Sequence, residues 1–87
     1  MSIEDTLAER GARYGRFLDH AIIAQTLQSV MHDAPKWDMM DADQKQALTV
    51  IADKIARILN GDPNYVDNWH DIAGYAILVE NRLKEGA

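Results

Sequence analysis

The stretch from Asp41 to Gly61 constrains the fold of this chain more than any other. Leu48, Ile51, Ala52, Ile55, Ile58 and Leu59 recur at intervals of three and four, which lines them up along one side of a helix. Asp41 with Gln44 three residues later has the form of a capping box, and Asn60-Gly61 supplies a left-handed stop. The other side carries Lys45, Gln46, Thr49, Asp53, Lys54 and Arg57. A helix that is apolar on one side needs something to cover it, so partners of the same period are expected elsewhere in the chain.

Three further segments answer that need. Ser2 with Asp5 starts a brief helix over Ile3 to about Arg10, anchored by Leu7 and broken by Gly11 and Gly15. A second helix runs from about Arg16 to His32, with Phe17, Leu18, Ala21, Ile22, Ala24, Leu27, Val30 and Met31 as a wide buried stripe, and ends at Asp33-Ala34-Pro35. Pro35 to Met40 is a connector in which Trp37, Met39 and Met40 close over the core. The last helix begins near Asp67 or Asn68, runs to about Leu83, and buries Trp69, Ile72, Ala73, Ala76, Val79 and Leu83. Gly74 interrupts it at a cost of about 1 kcal/mol relative to alanine, so another helix or a ligand is expected close by.

No alternating apolar run or hairpin dipeptide marks a strand. The expectation is a single all-α domain over residues 1–87, a small antiparallel bundle of about four helices. The short Gly61 to Val66 connection makes the last two helices neighbours, within reach of an Arg57–Asp67 contact. With 87 residues and no cysteine, the chain has neither a large core nor a disulfide or thiolate-zinc staple, so completion as a homodimer or higher homo-oligomer is expected.

Charge and hydropathy exclude some functions. No apolar run approaches the roughly 18 residues of a membrane span, and Met1-Ser2-Ile3-Glu4-Asp5 is too acidic for a signal peptide, so a cytoplasmic protein that binds no membrane is expected. A net charge of -5 argues against general duplex-DNA binding. It leaves room for a small anion, because Arg10, Arg13 and Arg16 fall within seven positions together with Tyr14. His20, His32 and His70 make no zinc-protease pattern, and phosphate-binding, dinucleotide-binding and nucleophile-elbow motifs are missing.

One charged constellation remains, on the last two helices. Asp67 and Asp71 are four residues apart and share a helix face, a pair able to hold magnesium. Alternatively, Asp67 caps its helix while Asp71 pairs with Lys54 or Arg57 across the hairpin and fixes its register.

Lys54-Ile55-Ala56-Arg57-Ile58-Leu59 followed by Asp67-Asn68-Trp69-His70-Asp71-Ile72-Ala73-Gly74-Tyr75-Ala76, with Arg13-Tyr14-Gly15 upstream, resembles a family of small helical proteins of tailed bacteriophages and prophages. Its hairpin looks like the MazG-like all-α nucleoside triphosphate pyrophosphohydrolases, in which Glu-x-x-Glu and Glu-x-x-Asp motifs on neighbouring helices hold magnesium and the triphosphate. Asp71 matches the final acid, whereas Asn68 stands in a glutamate place and Asp53, Lys54 and Arg57 replace the other acids. Exchanging acids for bases suits a site to binding phosphate directly.

The resemblance implies a phage-type nucleotide-binding protein acting without a cofactor in the bacterial host cell, on a pool nucleotide or a nucleotide immune signal. Lys54 and Arg57, with Arg13 or Arg16, would hold phosphate, and Tyr14 or Tyr75 would stack on the base. A second expectation is a divergent magnesium-dependent pyrophosphohydrolase using Asp67 and Asp71. A third is a helical module that inhibits a host protein through Trp37, Met39 and Met40.

Overall fold

Asp41 and Gln44 do close a capping box, in which the Asp41 N–H donates to Gln44 Oε1 at 2.9 Å. The helix they start is the middle of the architecture. The computed structural model describes residues 2–86, with helices α1 (Ile3–Tyr14), α2 (Phe17–Asp33), α3 (Ala42–Asn60) and α4 (Val66–Glu85) and a 3-10 turn at Trp37–Met39. There is no strand among the described residues, and the expected small all-α bundle of four helices is what forms. No helix among them is long and apolar enough to cross a membrane.

α3 packs against α2 on one side and α4 on the other, and α1 folds back on α2 and α3. Alanines make these contacts close. Ala24 on α2 and Ala47, Ala52 and Ala56 on α3 are the buried apolar residues among those described, and a methyl-sized side chain lets helix axes approach. The wide buried stripe expected of α2 does not form. Phe17 is 81% exposed, and Leu18, Ile22 and Val30 are exposed as well. Trp69 and Leu83 of α4 are likewise exposed. The reason is geometric: a row of helices covers each stripe only along its line of contact, and a stripe wider than that line stays open.

The helix ends differ from expectation in instructive ways. α1 runs through Gly11, where a Cβ would meet nothing within 4 Å, and stops at Gly15, whose φ of 78° is in the left-handed region. Gly61, by contrast, ends α3 with φ -131°, not in the expected left-handed conformation. A glycine is needed there for close approach: a Cβ would lie 2.2 Å from the Arg13 carbonyl oxygen and 2.4 Å from Tyr14 Cα. α4 starts two to three residues earlier than its polar residues suggest, with Tyr65 as cap, and Asn68 is 1% exposed instead of capping. A Cβ added at Gly74 would have nothing within 4 Å, so no described helix accounts for that glycine.

In the connector, Trp37 is half-buried against His32, with ring centroids 4.7 Å apart and the Lys45 ammonium 5.9 Å from the indole. Met39 is 73% exposed and does not close over the core. A clamp invisible in the local sequence fixes the hairpin's far end. Arg82, near the end of α4, donates to Asp43 at 2.8 Å and to Asp41 at 2.9 Å, both at the start of α3. Hydrogen bonding from Arg82 holds the Asp43 carboxyl below its usual range, and the Arg82 guanidinium is raised in turn.

Two measurements test this packing. Gly61→Ala is expected to lower the melting midpoint by at least about 4 °C, because overpacking costs about 1–3 kcal/mol, whereas Gly74→Ala is expected to raise it by relieving a mid-helix glycine penalty of up to about 1 kcal/mol. For Arg82, the lowered folded-state pKa of Asp43 means that the clamp's contribution is present above the unfolded value of 3.8 and lost as pH falls through the folded value. The melting difference between the wild type and Arg82→Gln is therefore expected to be constant from neutrality to about pH 5 and to shrink below about pH 4.

Candidate functional site

The C-terminal ends of α1 and α3 are tied by backbone as well as side chains. The Asn60 carboxamide donates to the carbonyls of Tyr14 at 2.9 Å and Arg16 at 3.0 Å, and the Asp62 N–H donates to the Arg13 carbonyl at 2.8 Å. Gly15 fits under this joint because a Cβ would lie 2.2 Å from the Asn60 carbonyl oxygen. The tie holds the last turns of α1 against the first turns of α2 and the polar side of α3, and between them opens a cleft of about 400 Å³. Arg10, Arg16 and Arg57 line it together with Tyr14, Phe17 and His20, and Leu7, Gly11 and Gly15 complete it.

Its charged groups are arranged in sequence. His20, 8% exposed, shares a 2.9 Å hydrogen bond between Nε2 and Asp53 Oδ1. Asp53 Oδ2 accepts the ion pair from Arg57 Nε at 3.2 Å, and the Arg57 guanidinium carbon lies 4.8 Å from the Tyr14 ring centroid. Arg57 is thus set by a carboxylate beneath and an aromatic face beside it, which fixes a flexible side chain in one direction. The buried His20 Nδ1 has no hydrogen-bond partner among the described residues.

Arg16 forms a two-point pair with Asp19 at 2.9 and 3.0 Å. That hydrogen bonding raises the Arg16 pKa and lowers that of Asp19, but both groups face solvent, where such a pair is weak and easily exchanged for another anion. Arg10 takes part in no ion pair among the described residues. Phe17 stacks on His20 with centroids 6.0 Å apart while most of its surface remains open. The cleft therefore offers guanidinium donors beside flat apolar surfaces, a combination that holds an anion attached to a ring.

Of the residues expected to bind a nucleotide, Tyr14, Arg16 and Arg57 come together here. Arg13 lies one step away, its guanidinium 4.4 Å over the Tyr65 ring and bonded to Glu9 at 2.9 Å. Lys54 lies outside the cleft, on the α4 flank of α3, and pairs with Asp71 at 3.0 Å, the cross-hairpin register pair. Tyr75 lies on α4 beside Leu78, outside the cleft. The expected Arg57–Asp67 contact does not form: Arg57 is held by Asp53, and Asp67 accepts from the Tyr65 hydroxyl at 3.0 Å. Phe17 and His20 are site residues that the sequence pattern does not announce. His20 carries one signal, a polar side chain four residues before Ala24 on the buried line of α2.

The residues offered to magnesium fit it poorly. Asp71 is already neutralised by Lys54 and Asp67 is engaged by Tyr65, and no group of three acids or histidines able to hold a metal ion assembles among the described residues. Asn68, at the glutamate place of the Glu-x-x-Asp motif, carries a carboxamide instead of an acid and is fully buried, with its Nδ2 unpartnered among those residues.

The His20–Asp53–Arg57 chain is the joint on which the cleft depends. Asp53→Ala leaves His20 buried without a partner for either ring nitrogen, and a loss of about 1–3 kcal/mol is expected. Phe17→Ala, at an exposed position, is expected to change stability by less than about 0.5 kcal/mol. Urea titrations of the two variants measure both values.

Neither the curated proteins nor the solved structures contain a match to this chain. A family model does match, over residues 4–83, which takes in α1, the cleft and nearly all of α4. The chain belongs to the family described as Domain of unknown function (DUF6378).

Proposed function

We propose that this chain is a phage-type small nucleotide-binding protein, and that its ligand's phosphates lie on Arg10, Arg16 and Arg57 while its base stacks on Tyr14 or Phe17. The observation that carries the reading is the convergence of three arginines and two aromatic rings on one cleft of about 400 Å³, a volume suited to a small molecule. The resemblance of Lys54 to Leu59 and Asp67 to Ala76 to the phage and MazG-like hairpins supports a nucleotide over other anions. The role first expected of Lys54 passes to Arg10 and Arg16, because Lys54 is committed to Asp71.

Arginine suits this task. Its planar fork bonds two phosphate oxygens at once and keeps its charge at any physiological pH. A ligand phosphate would exchange with Asp19 for the exposed Arg16, while Arg57 would remain braced by Asp53. A site built of guanidinium groups binds and retains the nucleotide. Hydrolysis needs acidic residues to position metal and water, so sequestration is the proposed activity, in the host cytoplasm.

Titration calorimetry with nucleoside mono-, di- and triphosphates and with cyclic and ADP-ribose-derived nucleotides, with and without magnesium, tests the reading. Binding independent of magnesium is expected. Arg16→Gln and Arg57→Gln are each expected to weaken it by about tenfold or more, the loss of a charge-assisted hydrogen bond, while Lys54→Gln and Tyr75→Phe leave it unchanged. Absence of heat with every nucleotide would contradict the proposal.

A further inference from the structure

Leu48, Ile55 and Leu59 form an exposed line along α3, at intervals of seven and four. Beside it, Trp69, Ala76 and Leu83 form a second line on α4 at intervals of seven, also exposed. The two lines lie on the same side of the helix pair, since Leu48 and Ala76 border one shared groove. None of the six is charged. Apolar residues at seven-residue spacing on a helix pair make a seam that other helices cover in layered bundles.

The chain as a whole exposes more surface than a closed monomer of its size. A folded monomer of this mass exposes about 5,200 Å², whereas this chain exposes 6,248 Å². Its radius of gyration is 15.1 Å, against about 12 Å for a closed domain of this length. The excess is about 1,000 Å² per chain, shared between this face and the exposed apolar residues of α1 and α2; covered in a pair it comes to about 2,000 Å², the scale of a permanent homodimer interface. With only alanines buried as apolar core among the described residues, the fold gains stability from covering this face, and the partner present at equal concentration whenever the chain is made is the chain itself.

We propose that this apolar face is occupied by a second copy of the chain, which lays its own α3 and α4 across it and turns an open row of helices into a two-layer bundle. The nucleotide cleft stays open in that pair. Arg57 is two residues from Ile55 and so projects about 200° around α3 from it, on the opposite side. The dimer thus stands or falls independently of ligand binding.

Sedimentation equilibrium of the full chain tests the proposal, with variants on and off the face. The wild type is expected at twice 9.8 kDa or a multiple of that. Leu48→Glu and Leu59→Glu are expected to shift it toward the single-chain mass, while Ile77→Glu, on the outer side of α4, leaves it unchanged. A wild type that is monomeric at tens of micromolar, or one dissociated by Ile77→Glu and not by Leu59→Glu, overturns the proposal. Because the glutamate variants risk unfolding, thiol labelling gives a second reading in a chain that has no cysteine of its own. Leu59→Cys is expected to react with maleimide at least about tenfold more slowly than Ile77→Cys, and equal rates in the folded chain would overturn the proposal.

Discussion

The carboxamide of Asn60 joins α1, α2 and α3 at one point. By donating to two carbonyls on either side of Gly15, it turns the end of α3 into the seat on which the α1–α2 bend rests. Gly15 and Gly61 are the two places where that seat leaves no room for a side chain. Remove the tie and α1, none of whose own residues is buried, is left to the Asp62–Arg13 backbone bond and the contacts of Arg13 and Tyr14 with Tyr65 and Arg57. The cleft would then lose Arg10 and Tyr14 together.

α3 organises the rest through its two unlike sides. Its polar side carries Asp53 and Arg57, which reach His20 and Tyr14 and give the cleft a floor. Its apolar side carries Leu48, Ile55 and Leu59, which the described residues leave exposed. Between them run the alanines that bring α2 and α4 close. One amphipathic helix thus separates a charged, solvent-open region suited to a small anion from a flat apolar region suited to another protein surface. The Lys54–Asp71 pair and the Arg82 clamp sit on the α4 side and hold the hairpin in register, contributing specificity more than stability where they are exposed.

The helices are legible in the sequence because period and capping are local: Ser2 with Asp5 and Asp41 with Gln44 form the caps their spacing predicts. The Lys54–Asp71 pair is legible in part, as one of the two partners that the short connection offers Asp71. Whatever depends on how many neighbours a helix has is not. Periodicity says which side of α2 is apolar, but not that a row of helices leaves Phe17, Ile22 and Val30 outside. The same gap hides the purpose of Gly61, which answers to the backbone of Arg13 and Tyr14 far away in sequence. It also hides His20, whose partner Asp53 lies 33 residues on, and the commitment of Lys54 to α4 instead of the cleft.

Amide chemical shifts read directly whether the cleft is a phosphate site. Titrating the ¹⁵N-labelled chain with a nucleoside triphosphate should perturb Arg10, Gly11, Gly15, Arg16, Phe17, His20 and Arg57 in a saturable way. Shifts centred instead on Lys54, Asp71 and Tyr75, or no saturable shift anywhere with the whole nucleotide panel, would contradict it.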